Sequence, residues 1–324
     1  MTELRWNPIL NEWTIIAGHR GKRPQVHKKE KMMERSCPFC PGGEEIEGDW
    51  IVKYLPNKYP SLQMRAPDPD VEGTDLFPVM PAKGVCEVIL YTKDHDTTLE
   101  QLPLDHITKI IELWTNRFEE IGNKNEIEYV FIFENTGTDI GVSLDHPHGQ
   151  IYSFTFIPPR IQTELDSAKK YYEKHNNCLF CDIIKFEKED KRRIIIENDD
   201  FICFIPFFAQ YAYGTHIYPK RHLQCLLDLN KREVKNLALI LKGILKKYRL
   251  RFPDKLDYIM AFHQRPTTGK NYHYFHYYIE FIVLQRGYGK KKYLGGVERG
   301  TGTIINASIP EKNAKELREI KIEF

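Results

Sequence analysis

The stretch Leu144–Tyr152, LDHPHGQIY, sets two imidazoles one residue apart and a carboxamide two residues further on. In a β-strand, residues i and i+2 point to the same side. Read as a strand, the stretch turns His146, His148 and Gln150 to one surface, an arrangement that packing alone rarely requires. What those three residues do depends on the sequence around them.

The chain has 324 residues, enough for two domains of ordinary size, and is 41% hydrophobic and 28% charged. A net charge of +2 is too balanced for wrapping nucleic acid. No apolar run is long enough to span a bilayer, and the opening MTELRWNPIL lacks the blocks of a signal peptide. These features predict a cytoplasmic protein with neither a membrane nor a nucleic-acid partner.

Four of the seven cysteines form two C-x-x-C pairs, Cys37/Cys40 in CPFC and Cys178/Cys181 in CLFC. Cys86, Cys203 and Cys225 lie in apolar sequence and read as buried small hydrophobes. Downstream of the pairs, Tyr91–His95 aligns without a gap with Tyr218–His222. A helical stripe follows each histidine: Ile107, Ile110, Ile111, Trp114, Phe118 and Ile121, then Val234, Leu237, Ala238, Leu241, Leu245 and Tyr248. Strands are expected next, from Glu128 and from Asp257, followed by the histidine pairs His146/His148 and His273/His276. The fold expected is α+β: two copies of one unit, 1–165 and 166–324, each with an antiparallel sheet and a flanking helix. Glu187–Arg193, EKEDKRR, and the segment before Cys178 read as charged, solvated connections.

Each copy offers two cysteines and two histidines in the same order, Cys37, Cys40, His95 and His146, then Cys178, Cys181, His222 and His276. Two thiolates and two imidazoles suit tetrahedral zinc. A redox dithiol is less suited, because neither pair is expected to open a helix in a thioredoxin-like context. His148 is then left over, and its second-half counterpart is Tyr278. A neutral imidazole is a competent nucleophile toward phosphorus, and its adduct is a good leaving group. Gln150 and Ser143 can donate to phosphate oxygens, Gly137 and Gly141 open the backbone beside Asn135, and Arg20 and Arg23 can pair with phosphates. Asn135, Ser143 and the two arginines also fit as ordinary turn, strand-end or solvated residues.

With these motifs assembled, the chain resembles the galactose-1-phosphate uridylyltransferase family, the transferase branch of the histidine-triad superfamily. The resemblance rests on NEWTIIAGHRGKRP, CPFCPG, LPNKYP, DHDTTL, FENTGTDIGVSLDHPHGQIY, DYIMAFHQRP and KKYLGGVERGTG. It implies two histidine-triad-like domains, a homodimer, and ping-pong exchange of UMP between UDP-glucose and galactose-1-phosphate through a covalent adduct on His148. By motif, Arg20, Arg23, Asn57, Asn135, Ser143 and Gln150 contact the nucleotide, and Lys292 and Glu298 the hexose. Zinc is implied at the first Cys/His set.

The second set is open to zinc or iron. Some members build another metal site from residues matching Glu164, His263 and His276, but Tyr278 replaces that site's last histidine here, and the cysteine pair favours zinc. Lys58 and Val297 also depart from the family pattern. A phosphorylase acting on ADP-glucose or a dinucleoside polyphosphate would use the same His148 adduct. A zinc-ribbon nucleic-acid module would use only the Cys/His sets.

Overall fold

Apolar residues from both halves of the chain meet in one sheet. The computed structural model describes residues 2–22, 37–142, 144–253 and 256–323. The first half forms β1 (Glu3–Asn7), β2 (Glu12–Ile16), β3 (Lys53–Pro56), β4 (Val79–Pro81), β5 (Cys86–Leu90), α1 (Leu104–Gly122), β6 (Tyr129–Thr136) and β7 (His148–Phe154). After α2 (Pro159–His175) and α3 (Leu179–Asp190) come β8 (Ile194–Glu197), β9 (Phe201–Phe204), β10 (Thr215–Pro219), α4 (Lys231–Arg251), β11 (Tyr258–His263) and β12 (Tyr278–Val283). The chain closes with β13 (Gln285–Gly287), β14 (Lys290–Lys291), α5 (Gly296–Thr301) and α6 (Pro310–Glu319).

Nine strands run in the order β3-β5-β7-β6-β11-β12-β10-β9-β8, every pairing antiparallel. The order is symmetric about the β6–β11 seam, with β7 matched by β12, β5 by β10 and β3 by β9. The expected duplication is therefore present, but its two sheets are fused edge to edge. Only four residue pairs make the seam, Phe133–Thr136 against Tyr258–Ala261.

The helical stripes bury as their period requires. Ile107, Ile110, Ile111, Trp114, Phe118 and Ile121 of α1 and Leu237, Ala238, Leu241, Leu245 and Tyr248 of α4 join one core beneath the sheet. Asn230 starts α4 by accepting from the Arg232 and Glu233 amides, and Glu233 reaches back 2.8 Å to the Asn230 amide. On the opposite sheet face, α2 and α3 cover the second half, while the small sheet β2-β1-β4 contributes a separate cluster with Tyr152 and Phe154 of β7. Cys86, Cys203 and Cys225 are buried, as their sequence context predicts.

The two segments expected to be solvated connections are not. The residues before Cys178 form α2, which buries Ile161, Leu165 and Ala168. Glu187–Asp190 completes α3, and Arg193 is fully buried, within 3.0 Å of Glu187, 2.6 Å of Asp190 and 2.6 Å of Glu311 on α6. A charge run is ordinarily a wet face. Here Lys188, Glu189, Lys191 and Arg192 do stay exposed, while tertiary neighbours cover Glu187 and Arg193, which pair with each other.

Candidate active site and metal centres

Both Cys/His sets assemble. Cys37, Cys40, His95 and His146 bring one ligand atom each to within 4.8 Å of one another, and so do Cys178, Cys181, His222 and His276. Cys40 Sγ lies 3.5 Å from His95 Nδ1 and 3.7 Å from His146 Nδ1; Cys181 Sγ lies 3.3 Å from His222 Nδ1 and 3.4 Å from His276 Nδ1. Metal–sulfur and metal–nitrogen bonds of about 2.3 and 2.0–2.1 Å, meeting at a tetrahedral angle, place S and N about 3.6 Å apart. The donor sets fit a tetrahedral ion of the zinc type.

Outer hydrogen bonds fix the histidine tautomers. His146 Nε2 lies 2.8 Å from the Thr92 carbonyl, and His276 Nε2 lies 3.1 Å from the Pro219 carbonyl. A carbonyl only accepts, so each Nε2 carries the proton and each Nδ1 keeps its lone pair for a metal. Thr92 and Pro219 are matched positions in the gapless alignment of Tyr91–His95 with Tyr218–His222, so the duplication preserves this contact as well as the ligands.

In both pairs the second thiol, Cys40 or Cys181, is pushed up, Cys181 by the first cysteine and by burial. Burial and the neighbouring Cys37 push the Cys40 thiol up to about 11. In the second site the Cys181 thiol holds Cys178 as the thiolate, with His222 and His276 adding to the effect. Cys178 also caps α3, so this pair does open a helix, but one that follows α2 rather than a strand and so lacks the thioredoxin-like βαβ setting. Its companions are still the two histidines of a metal set.

His146 lies just before β7 rather than within it and is 1% exposed. The strand proper begins at His148, and its burial alternates so that His148, Gln150 and Tyr152 share the less buried face. His148 Nδ1 lies 2.7 Å from the His146 carbonyl. Nδ1 is therefore the donor, and Nε2 carries the nucleophilic lone pair of the neutral ring. Phe39 of the CPFC loop packs against both rings, with centroids 6.0 Å from His146 and 5.7 Å from His148.

Arg20, Asn135, Gly141, His148, Gln150 and Tyr152 line one cleft. Arg20 is placed there by hydrogen bonds to Ser61 and, at 3.2 Å, to the Tyr152 hydroxyl. Gly141 has φ near +81°, in the left-handed region that glycine adopts freely. Arg23 and Ser143 lie outside the described residues. Asn57 lines a neighbouring larger cleft with His19, Lys58 and Arg117, and its Oδ1 accepts from the Tyr59 amide. Lys58 points to an ion pair with Glu44 at 2.7 Å. Lys292 and Glu298 face each other at 3.3 Å beside α5, and neither lines the His148 cleft.

The second half fills the matching space with charge. His263 sits between Glu164 at 3.0 Å and Glu280 at 3.3 Å, and Arg160 reaches Glu280 at 2.8 Å and Glu164 at 3.2 Å. Tyr278 stacks on His263 at 4.2 Å and donates to Glu164. Burial disfavours a charged His263, but the two carboxylates outweigh it and raise its pKa. Arg160 and His263 together face the two carboxylates. His276 belongs to the cysteine set, and Glu164 with His263 forms an ion-pair network. Sequence reasoning missed Arg160, His216 and Glu280 in this network. The available signal was Glu280 standing where the first half has Gln150.

Family models for the N-terminal and C-terminal domains of galactose-1-phosphate uridyl transferase match residues 1–158 and 164–322. The galactose-1-phosphate uridylyltransferase of Thermotoga maritima is 38% identical over 325 residues, covering 100% of both chains. The chain belongs to the galactose-1-phosphate uridylyltransferase family. Among solved structures, a uridylyltransferase superposes with a TM-score of 0.86 at 34% identity, covering 98% of this chain and 97% of that one. An ADP-glucose phosphorylase from Arabidopsis thaliana, solved with bound ADP-glucose, is similar at a TM-score of 0.76 and 26% identity, covering 99% of this chain and 100% of that one. The family thus accounts for both halves of the fused sheet.

Proposed function

We propose that this protein exchanges UMP between UDP-glucose and galactose-1-phosphate through a uridylyl-His148 intermediate. The observation that carries the reading is the 2.7 Å contact of His148 Nδ1 with the His146 carbonyl, which gives Nε2 the lone pair in a cleft shared with Arg20, Asn135 and Gln150. In the first step Nε2 attacks the α-phosphorus of UDP-glucose, a P–N bond forms, and glucose-1-phosphate leaves with the electrons of the broken P–O bond. In the second, a phosphate oxygen of galactose-1-phosphate attacks the same phosphorus and the electrons return to Nε2. The His146 carbonyl accepts from Nδ1–H throughout and stabilises the positive charge on the ring while the adduct exists. Arg20 and Gln150 donate to the non-bridging oxygens, joined in this reading by Arg23 and Ser143.

Zinc is the metal proposed for both Cys/His sets, two ions per chain. Bound at the first set, it supplies a cross-link that holds His146. In this reading residues 1–165 carry the chemistry and 166–324 are scaffold. Asn57 contacts the nucleotide, Lys292 and Glu298 read the hexose phosphate, and the active form is a homodimer. Because Lys292 and Glu298 do not line the His148 cleft of their own chain, the dimer is also a route by which they reach one. Cytoplasmic residence completes the reading; among the described residues no helix is long and apolar enough to cross a membrane.

The test is to incubate the enzyme with UDP-glucose, detect an acid-labile uridylyl adduct on His148 by mass spectrometry, and then offer either acceptor. Discharge by galactose-1-phosphate supports the transferase. Discharge by inorganic phosphate alone would make it a phosphorylase. An adduct elsewhere would remove His148 from its role.

A further inference from the structure

Under His148 the sheet turns its other face to the core, and there the first half departs from its duplicate. Phe133 pairs with Gln150 in one half, and Ala261 with Glu280 in the other. One residue along, Glu134 and Gly149 therefore occupy the positions that Phe262 and Ile279 fill in the second half. Phe262 and Ile279 are fully buried apolar residues. The half that holds the nucleophile has a carboxyl group and a bare backbone at the same two places.

Glu134 is 4% exposed, and its Oε1 accepts from the Tyr258 hydroxyl and, at 2.8 Å, from the Thr136 hydroxyl. The bond to Thr136 spans Asn135, so the two residues flanking Asn135 are tied together beneath the sheet. Tyr258 belongs to β11, so the brace crosses the seam between the halves. Tyr91 Oη lies directly under Gly149, where an added Cβ would stand 2.3 Å from it. The Tyr91 hydroxyl also lies against the Glu134 carboxyl group, and both residues line a small cavity that Asn135, Pro147 and His148 also bound. A buried carboxyl group in this position costs stability that an apolar pair would not. Its retention only in the reactive half points to work done there.

We propose that Glu134 is a positioning residue for the His148 reaction: through Thr136 and Tyr258 it fixes the β6 backbone at Asn135, so that the Asn135 carboxamide is held facing His148. This rests on the reading of His148 as the nucleophile. The carboxyl acts by accepting two hydroxyl hydrogen bonds at Oε1, and burial raises its pKa toward the neutral acid, which a glutamine mimics.

The test compares single-turnover formation of the uridylyl adduct from UDP-glucose in wild type, Glu134→Gln, Glu134→Leu, Thr136→Val and Tyr258→Phe. UDP-glucose affinity and melting temperature are measured alongside. Misplacement of a reacting group by a fraction of an ångström predicts that Thr136→Val, Tyr258→Phe and Glu134→Leu each slow adduct formation roughly tenfold or more. Glu134→Gln keeps the acceptor and stays within about threefold of wild type. Wild-type rates in Thr136→Val and Tyr258→Phe, which should fold even if Glu134→Leu does not, would overturn the proposal. So would Glu134→Gln proving as slow as Tyr258→Phe. An adduct in wild type with unaltered variants defeats this role alone, whereas no adduct in wild type defeats the nucleophile with it.

Discussion

In the proposed reaction the carbonyl of His146 both orients His148 and stabilises the charge its ring acquires, so the proposed nucleophile depends on a residue whose own side chain belongs to a Cys/His set. His148→Ala should abolish the adduct and lower kcat on the order of 10⁴-fold or more while leaving metal content and melting temperature near wild type. Mass spectrometry with elemental analysis checks both. Glu298 has a different assignment. Its Oε2 accepts from the Gly295 amide at 3.0 Å, a contact glutamine can keep. Glu298→Gln should therefore leave α5 intact and let UDP-glucose charge His148, yet slow discharge by galactose-1-phosphate; slowed charging with normal discharge would be the wrong pattern. At this scale the sequence was informative where chemistry repeats. His148 stood out because its counterpart Tyr278 cannot replace it. The position of His146 just outside the strand was hidden, because the Cys/His set and the Thr92 carbonyl place that ring rather than the alternation of a strand.

Among the elements, the turns after β5 and β10 are tied in by the same outer contacts, Thr92 to His146 and Pro219 to His276. Elemental analysis should find two ions per chain, with Cys37→Ser reducing activity more than Cys178→Ser because His146 sits beside the nucleophile. X-ray absorption should show sulfur near 2.3 Å and nitrogen near 2.0–2.1 Å. Binding should release protons, since Cys40 carries one at neutral pH without metal. The stripes of α1 and α4 were legible because a period of 3.6 residues needs no tertiary information. Arg193 was not. Its neighbourhood reads as solvent-exposed charge, and two of the groups that cover it, Phe207 and Glu311 of α6, come from outside that charge run, the latter from more than a hundred residues away. Arg193→Ala strands Glu187 in the interior and should cost about 3–5 kcal/mol in denaturant unfolding, with activity per folded molecule unchanged.

Across the whole molecule, the second half exchanges a reactive cleft for a balanced set of charges. Glu280 and Glu164 have lowered pKa values, so their contribution is present above about pH 4.5 and lost as pH falls toward the lowered values. His263 has a raised pKa, so its contribution is complete below about pH 6.5 and lost as pH rises through the raised value. The melting-temperature difference between wild type and His263→Gln should therefore be largest between about pH 4.5 and 6.5 and shrink in alkali. Nothing in the sequence announced that the halves share a sheet, because pairing between two strand edges leaves no local pattern. That seam has a consequence for synthesis. β6 leaves the ribosome more than a hundred residues ahead of β11, and at about 5–20 residues per second its edge waits for several seconds or longer without a partner. The waiting strand reads Tyr-Val-Phe-Ile-Phe-Glu-Asn-Thr, an apolar run that would template pairing with other nascent chains. A message truncated before codon 258 should yield an aggregating product rather than a working half-enzyme.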